Sequence, residues 1–232
     1  MLKIEHFDDA KFDKIYVFGD LHGSYDLFTK MLKKIKLTKD DLVIILGDSC
    51  DRGKKIAGLF YKYKELMDEG YNLKHIMGNH EYLMYHGGFK DELINKLLWF
   101  KSGGKKTDAS FQKHTKSKKE WQGMGKDENL TWLKEWLEEM PYILTSDNYI
   151  FVHAGYDARV ALEEQTEEFV IWSREEFWKY NSTGKEIYYG HTPNLDSKIK
   201  IKPNGVYSMD TAAAYKGKLR ILEIKSKKEF VV

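Results

Sequence analysis

Five short β-rich runs in this chain each close on glycine beside an acidic, amide or imidazole side chain. They are KIYVFGD (14–20), DLVIILGD (41–48), LKHIMGNHE (73–81), NYIFVHAG (148–155) and EIYYGHT (186–192). Amphipathic helical patterns separate the first three. YDLFTKMLKKI (25–35) puts Leu27, Phe28, Met31, Leu32 and Ile35 on one stripe, and KIAGLFYKYKELMDEG (55–70) repeats the pattern before a glycine stop. Strand–helix–strand alternation demands a parallel sheet covered by helices. Farther on, LTWLKEWLEEMP (130–141) reads as an amphipathic helix ended by Pro141, and PYILTSDNYIFV as a hairpin turning at Ser146, Asp147 and Asn148. The runs VYSMD (206–210) and KLRILEI (218–224), among turns such as PNG (203–205), suggest antiparallel closing strands. The expectation is α/β: a two-sheet mixed β-sandwich flanked by helices, forming a single domain over residues 1–232.

Composition narrows the class. With 42% hydrophobic and 14% aromatic residues in 232, the chain can bury a substantial core. Its 38 basic and 36 acidic side chains nearly cancel, which argues against a general nucleic-acid or membrane coat. One cysteine excludes an intramolecular disulfide framework and suits a reducing cytoplasm. The opening MLKIEHFDDAKFDK is charged throughout, with no apolar targeting segment, so a soluble, cytoplasmic monomer is expected. Only Arg52, Arg159, Arg174 and Arg220 are arginine, which draws attention to each as a planar, bidentate donor. The stretch 101–126 (KSGGKKTDASFQKHTKSKKEWQGMGK) is lysine-rich with little apolar periodicity; it is expected to be a solvated surface excursion or, alternatively, a lid over an anionic substrate.

The chemistry-bearing residues sit where open α/β sheets bind ligands, after the carboxyl ends of strands. Asp20 and His22 follow the first run, Asp48 and Asp51 the second, Asn79 and His80 the third, and His153 and His191 the last two. His6, His75, His86 and His114 lack this setting and are expected to be ordinary packed or surface residues. A set of carboxylates, an amide and imidazoles exceeds the needs of one ion. It suits two divalent ions sharing a carboxylate, in a field that favours Mn, Fe or Zn over Mg or Ca. Paired ions ~3.5–4 Å apart serve in-line phosphoryl displacement, and arginine adds a bidentate grip on phosphate oxygens.

GDLHG (19–23), GDSCDRG (47–53), GNHE (78–81), HAG (153–155) and GHT (190–192), in this order, resemble the phosphoprotein phosphatase (PPP) branch of the calcineurin-like metallophosphoesterases. SGGKKT (102–107), WSREEFW (172–178) and MDTAAAYKGKLRILEI (209–224) are similar to its compact bacterial and phage members. The resemblance implies that Asp20 and His22 hold a first metal, that Asp48 bridges both, and that Asn79, His153 and His191 complete the second site. It implies that His80 is the proton donor to the leaving oxygen, oriented by Asp51, with Arg52 and Arg174 binding phosphate. The implied activity is serine/threonine protein phosphatase, by direct attack of metal-bound hydroxide on a phosphorylated protein or peptide. Mn is the first choice of metal, with Fe or Zn as alternatives. Cys50 falls in a slot where the family carries a small apolar residue, so packing is its expected role.

This chain departs from the branch at Met77, where arginine is usual before GNHE, at Ser102 in place of asparagine, and at Ala212 in place of glycine. None removes a ligand, but the substrate stays open. A symmetrical dinucleoside tetraphosphatase, taking a small nucleotide phosphoester, shares much of this motif set, and a non-catalytic metal-binding scaffold is a further alternative. A cysteine-dependent phosphatase fails on spacing, because its loop needs arginine six positions after the thiol and position 56 is Ile.

Overall fold

In the computed structural model, residues 2–115 and 121–232 are described. Eleven strands are assigned among them: β1 (Ile4–His6), β2 (Ile15–Phe18), β3 (Leu42–Ile45), β4 (Asn72–His75), β5 (Ile143–Thr145), β6 (Tyr149–Val152), β7 (Glu186–Tyr189), β8 (Lys200–Lys202), β9 (Val206–Ser208), β10 (Arg220–Glu223) and β11 (Lys228–Val231). They form a six-stranded sheet ordered β1-β5-β6-β7-β9-β8 and a five-stranded sheet ordered β11-β10-β2-β3-β4.

Period-2 alternation stacks these sheets. Ile15 and Val17 of β2, and Leu42 and Ile44 of β3, meet Leu144, Phe151 and Tyr188 of the other sheet in one buried layer. Their neighbours Tyr16, Phe18, Val43 and Ile45 point the opposite way, into a second core under helices. These helices are α1 (Tyr25–Ile35) and α2 (Ile56–Asp68), and the same core takes in Leu133 and Leu137 of a later helix, Thr131–Glu139. On the far side, Ile150, Val152, Ile187 and Tyr189 form a third core with Val170 and Ile171 of the short helix Glu167–Trp172. The two-sheet sandwich flanked by helices is therefore borne out, and α1 spans the very residues its apolar stripe marks.

Two elements differ from expectation. β9 pairs parallel with β7 and antiparallel with β8, while β10 lies in the other sheet, antiparallel to both β2 and β11. The closing strands are thus antiparallel as expected, β9 to β8 and β10 to β2 and β11, but they are divided between the two sheets and β9 also runs parallel to β7. The described residues 101–115 of the polar stretch are helical rather than a solvated excursion. After α3 (Asn79–Leu83) comes α4 (Leu93–Ser102), and α5 (Gly104–Thr115) follows directly, burying Gly104, Thr107 and Phe111. Phe111 packs into the helix-covered core against Phe60 of α2, at 5.8 Å between ring centroids. One aromatic and one threonine suffice to seat a lysine-rich helix, too few to stand out as a periodicity. Residues 116–120 of that stretch lie outside the described residues.

Candidate active site

β2, β3 and β4 run parallel in one sheet, and β6, β7 and β9 in the other. The segment after each of these six strands contributes to a single cleft or to its floor. Asp20 and His22 follow β2, Asp48 follows β3, Asn79 and His80 open α3 after β4, His153 follows β6, His191 follows β7 and Asp210 follows β9. The cleft, about 260 Å³, is lined by these residues other than His153, together with Arg52, Ser102, Trp172, Arg174, Pro193 and Tyr215. Three roomier hollows, of about 470, 430 and 330 Å³, lie between α1 and α2, beside Trp99 and beside His6, and none gathers more than one histidine.

The turns are tight enough to strain the backbone. His22, Asp48, Asp51 and His191 all adopt positive φ (42°, 52°, 80° and 64°), a region that non-glycine residues occupy at a cost of about 1–3 kcal/mol each. Hydrogen bonds hold these conformations. The Asp48 and Ser49 N–H groups donate to the buried Glu81 carboxylate at 2.6 and 2.8 Å. The His191 N–H donates to Asp20 at 3.0 Å.

Backbone carbonyls orient two of the imidazoles. The His22 Nδ1–H donates to the Cys50 carbonyl at 2.6 Å, which turns Nε2 toward Asp48 Oδ2 at 3.7 Å. The His153 Nδ1–H donates to the Leu46 carbonyl at 2.7 Å, which leaves Nε2 facing Asn79 Oδ1 at 2.9 Å and His191 Nδ1 at 3.2 Å. Asp48 Oδ1 lies 3.4 Å from that same Nε2. His80 Nδ1 bonds Asp51 Oδ2 at 2.6 Å, and its Nε2 is 3.8 Å from Asp48 Oδ2.

Charge follows from this crowding. Burial alone would raise Asp48, but His153, His80 and His22 outweigh it and hold the carboxyl well below the usual range. Burial pushes His22 down to about 4, and burial with the nearby His153 pushes His191 down to about 3, so both offer neutral lone pairs. Burial also opposes charge on His80, yet Asp48 and the bond to Asp51 push it up to about 9. Asp20 is driven upward by burial and by the like charges of Asp210 and Asp48. Burial raises Asp210 as well, to about 6.

This donor set fits divalent metal ions. Asn79 Oδ1, His153 Nε2 and His191 Nδ1 converge on one spot beside the Asp48 carboxylate, which draws the His153 pKa upward, so an ion taking that nitrogen would displace its proton. Two donor triads lie within 4.8 Å, His22–Asp48–His80 and Asp48–His153–His191, and Asp48 belongs to both. Asp20 stands outside these triads, beside Asp210, and lines the same cleft. A third triad, Cys50–Asp51–His80, meets the same distance limit. Its thiol, however, is fully buried in the helix-covered core, and burial with Asp51, Glu81 and Asp48 keeps it protonated. That matches a packing role for Cys50.

All ten residues singled out from the sequence thus meet at one place, with Arg52 and Arg174 exposed at the rim and Arg174 Nη1 donating to Thr192 at 3.3 Å. Sequence reading missed four contributors. Asp210 ends its strand just as Asp20 and Asp48 do, so the signal was there. Glu81 is the last letter of GNHE. Thr107, the last letter of SGGKKT, and Trp99, on the mostly apolar α4, both hold Asp51, and nothing in the sequence ties either to that carboxylate.

Residues 13–223 match the calcineurin-like phosphoesterase family model, and the chain belongs to that family of metal-dependent phosphoester hydrolases. Within it, the likeness to phosphoprotein phosphatases is borne out by two relatives named serine/threonine-protein phosphatase 2. The one from Salmonella typhimurium strain LT2 is 28% identical over 69% of this chain and 68% of its own length. The one from Escherichia coli K12 is 26% identical over 91% and 93%. A symmetrical bis(5'-nucleosyl)-tetraphosphatase from Wigglesworthia glossinidia brevipalpis is 39% identical, over 28% of this chain and 24% of its own. Among solved structures, one proposed to be a diadenosine tetraphosphatase superposes with a TM-score of 0.73 at 15% identity, covering 100% of this chain and 98% of that one. This last likeness concerns the fold. Among the described residues, no helix is long and apolar enough to cross a membrane.

Proposed function

We propose that this chain is a serine/threonine protein phosphatase working with two divalent ions. Asp20 and His22 would hold one, Asn79, His153 and His191 the other, and Asp48 both. The carrying observation is Asp48, whose two oxygens face opposite donor sets, His153 on one side and His22 on the other. Ions bound there would supply Lewis acidity, lowering the pKa of water and offsetting phosphate charge.

The remaining work falls to this chain's own side chains. Arg52 and Arg174, at the cleft rim, grip phosphate oxygens through charge-assisted hydrogen bonds. His80 keeps a proton near neutrality, because Asp48 and Asp51 outweigh its burial, and it delivers that proton from Nε2 to the departing oxygen. Asp51 fixes the ring from the Nδ1 side. The DRG sequence at 51–53 and the near full-length match to the Escherichia coli relative favour a phosphoprotein substrate.

A second reading, symmetrical dinucleoside tetraphosphatase, draws on the local 39% match to a protein of that name. Incubation with Mn²⁺ and either a phosphothreonine peptide or diadenosine tetraphosphate separates the two. Faster release of phosphate from the peptide is expected. Faster release of ADP from the dinucleotide would overturn the first reading, and chelator-insensitive or absent turnover would overturn both.

A further inference from the structure

Asp51 has a second side. While Oδ2 meets His80, Oδ1 accepts two further hydrogen bonds, from the Trp99 indole N–H at 3.0 Å and from the Thr107 hydroxyl at 2.5 Å. The same threonine oxygen accepts the Asp51 N–H at 3.0 Å, so one hydroxyl clasps both the backbone and the side chain of this residue. All of these groups are buried. Asp51 needs the clasp because its φ of +80° lies in the left-handed region.

The two donors come from helices meeting at a Gly–Gly corner. Gly103 takes φ +118°, and a Cβ there would fall 2.4 Å from the Asp51 carbonyl oxygen. A Cβ on Gly104 would fall 2.4 Å from the Trp99 ring. The corner therefore lets α4 and α5 close directly onto Asp51. Two donors on Oδ1 fix the χ2 angle of Asp51 and so hold Oδ2 in line with the imidazole Nδ1.

We propose that Trp99 and Thr107 are positioning residues for leaving-group protonation, acting through Asp51 on His80. This rests on the assignment of His80 as proton donor. The α4–α5 hairpin is thereby a working part of the site rather than a cover for it. A carboxylate held by two donors keeps the ring in one orientation, the office that outer-sphere partners perform for ligating histidines.

The test compares two aryl esters, 4-nitrophenyl phosphate and phenyl phosphate, so that it does not depend on which natural phosphoester is cleaved. Nitrophenolate leaves readily without a proton and phenolate does not. Thr107→Val keeps the side-chain shape without its hydroxyl, Thr107→Ser restores the hydroxyl, and Trp99→Phe removes the indole N–H. Each is assayed with Mn²⁺ beside His80→Asn, with bound metal counted by mass spectrometry. Thr107→Val should lower kcat on phenyl phosphate by about 10- to 100-fold, the range typical when an outer-sphere partner is lost. The loss on 4-nitrophenyl phosphate should be far smaller, metal content should be unchanged, and Thr107→Ser should recover the rate. Should Thr107→Val not fold, Trp99→Phe carries the same comparison. Equal losses on both esters, or none on either, would overturn the proposal. Selectivity in His80→Asn without selectivity in the Thr107 and Trp99 variants sinks the positioning role alone. A non-selective His80→Asn removes the proton-donor assignment and this inference with it.

Discussion

His75 offers a quantitative test of how tightly the loop bearing Asp48 is tied down. It is fully enclosed beside Phe60, Tyr63 and Trp136, and burial pushes its pKa from 6.5 down to about 3. Its hydrogen bonds form a directed chain. Nδ1–H donates to the Ile76 carbonyl at 2.9 Å, so Nε2 accepts from the Ser49 hydroxyl at 2.8 Å, and the Ser49 oxygen in turn accepts from Tyr63 at 2.9 Å. The ring is thus neutral when folded and takes up a proton when unfolded. Since the folded pKa lies below the unfolded one, the stabilisation is fully present above pH 6.5 and drains away as pH falls toward 3. Between pH 7.5 and 5 the unfolded chain gains about 1.5 pH units of proton binding, worth about 2 kcal/mol at 1.36 kcal/mol per unit. Other histidines add their own slopes, so the clean measurement is a difference. His75→Gln, whose amide can donate to Ile76 and accept from Ser49, is compared with the native chain by urea denaturation at both pH values. At pH 7.5 the variant should be less stable by about 1–3 kcal/mol, from imperfect hydrogen bonds. At pH 5 the gap should close by about 2 kcal/mol, equivalent to about 4–8 °C in Tm for a domain of this size. A gap that stays constant would refute the neutral, buried imidazole and the network drawn from it.

Two other substitutions probe the cleft. Cys50→Val should leave turnover and metal content essentially intact and change stability by less than ~1.5 kcal/mol, because His22 bonds the Cys50 carbonyl rather than its thiol; a collapse of turnover with metals still bound would make the sulfur functional. Arg174→Ala and Arg52→Ala should each lower kcat/KM by about 10- to 150-fold, the equivalent of ~1.5–3 kcal/mol of charge-assisted bonding, with urea midpoints barely moved because both side chains are exposed. Unchanged kcat/KM in either would remove that arginine from the phosphate site.

Much of this site is legible in one dimension because its chemistry is tied to strand ends. A buried strand announces itself by continuous apolar residues, as in VIIL (43–46), and the turn after it must be short, so Asp48 could be placed without coordinates. The weak strands were invisible for the opposite reason. β1, β8 and β11 are three- and four-residue edge strands with partly exposed faces, so no apolar run marks them. α5 hid behind its lysines, its seat in the core resting on Thr107 and Phe111. Which sheet received the last strands depended on pairings between residues some 200 positions apart, such as Ile221 with Phe18, and local patterning does not encode these.

That last pairing bears on how the molecule comes to be. β10 lies against β2, so the sheet begun by residues 15–18 is closed only when residues 220–223 arrive. The His153 bond to Leu46 and the Asp20 bond to His191 likewise join the first third of the chain to residues more than 100 positions on. During synthesis one flank of β2 therefore stays uncovered until residues 220–223 have emerged. A nascent chain halted before residue 186 carries Asp20, Asp48 and Asn79 but lacks His191, so the proposed metal site would be complete only once residue 191 has emerged.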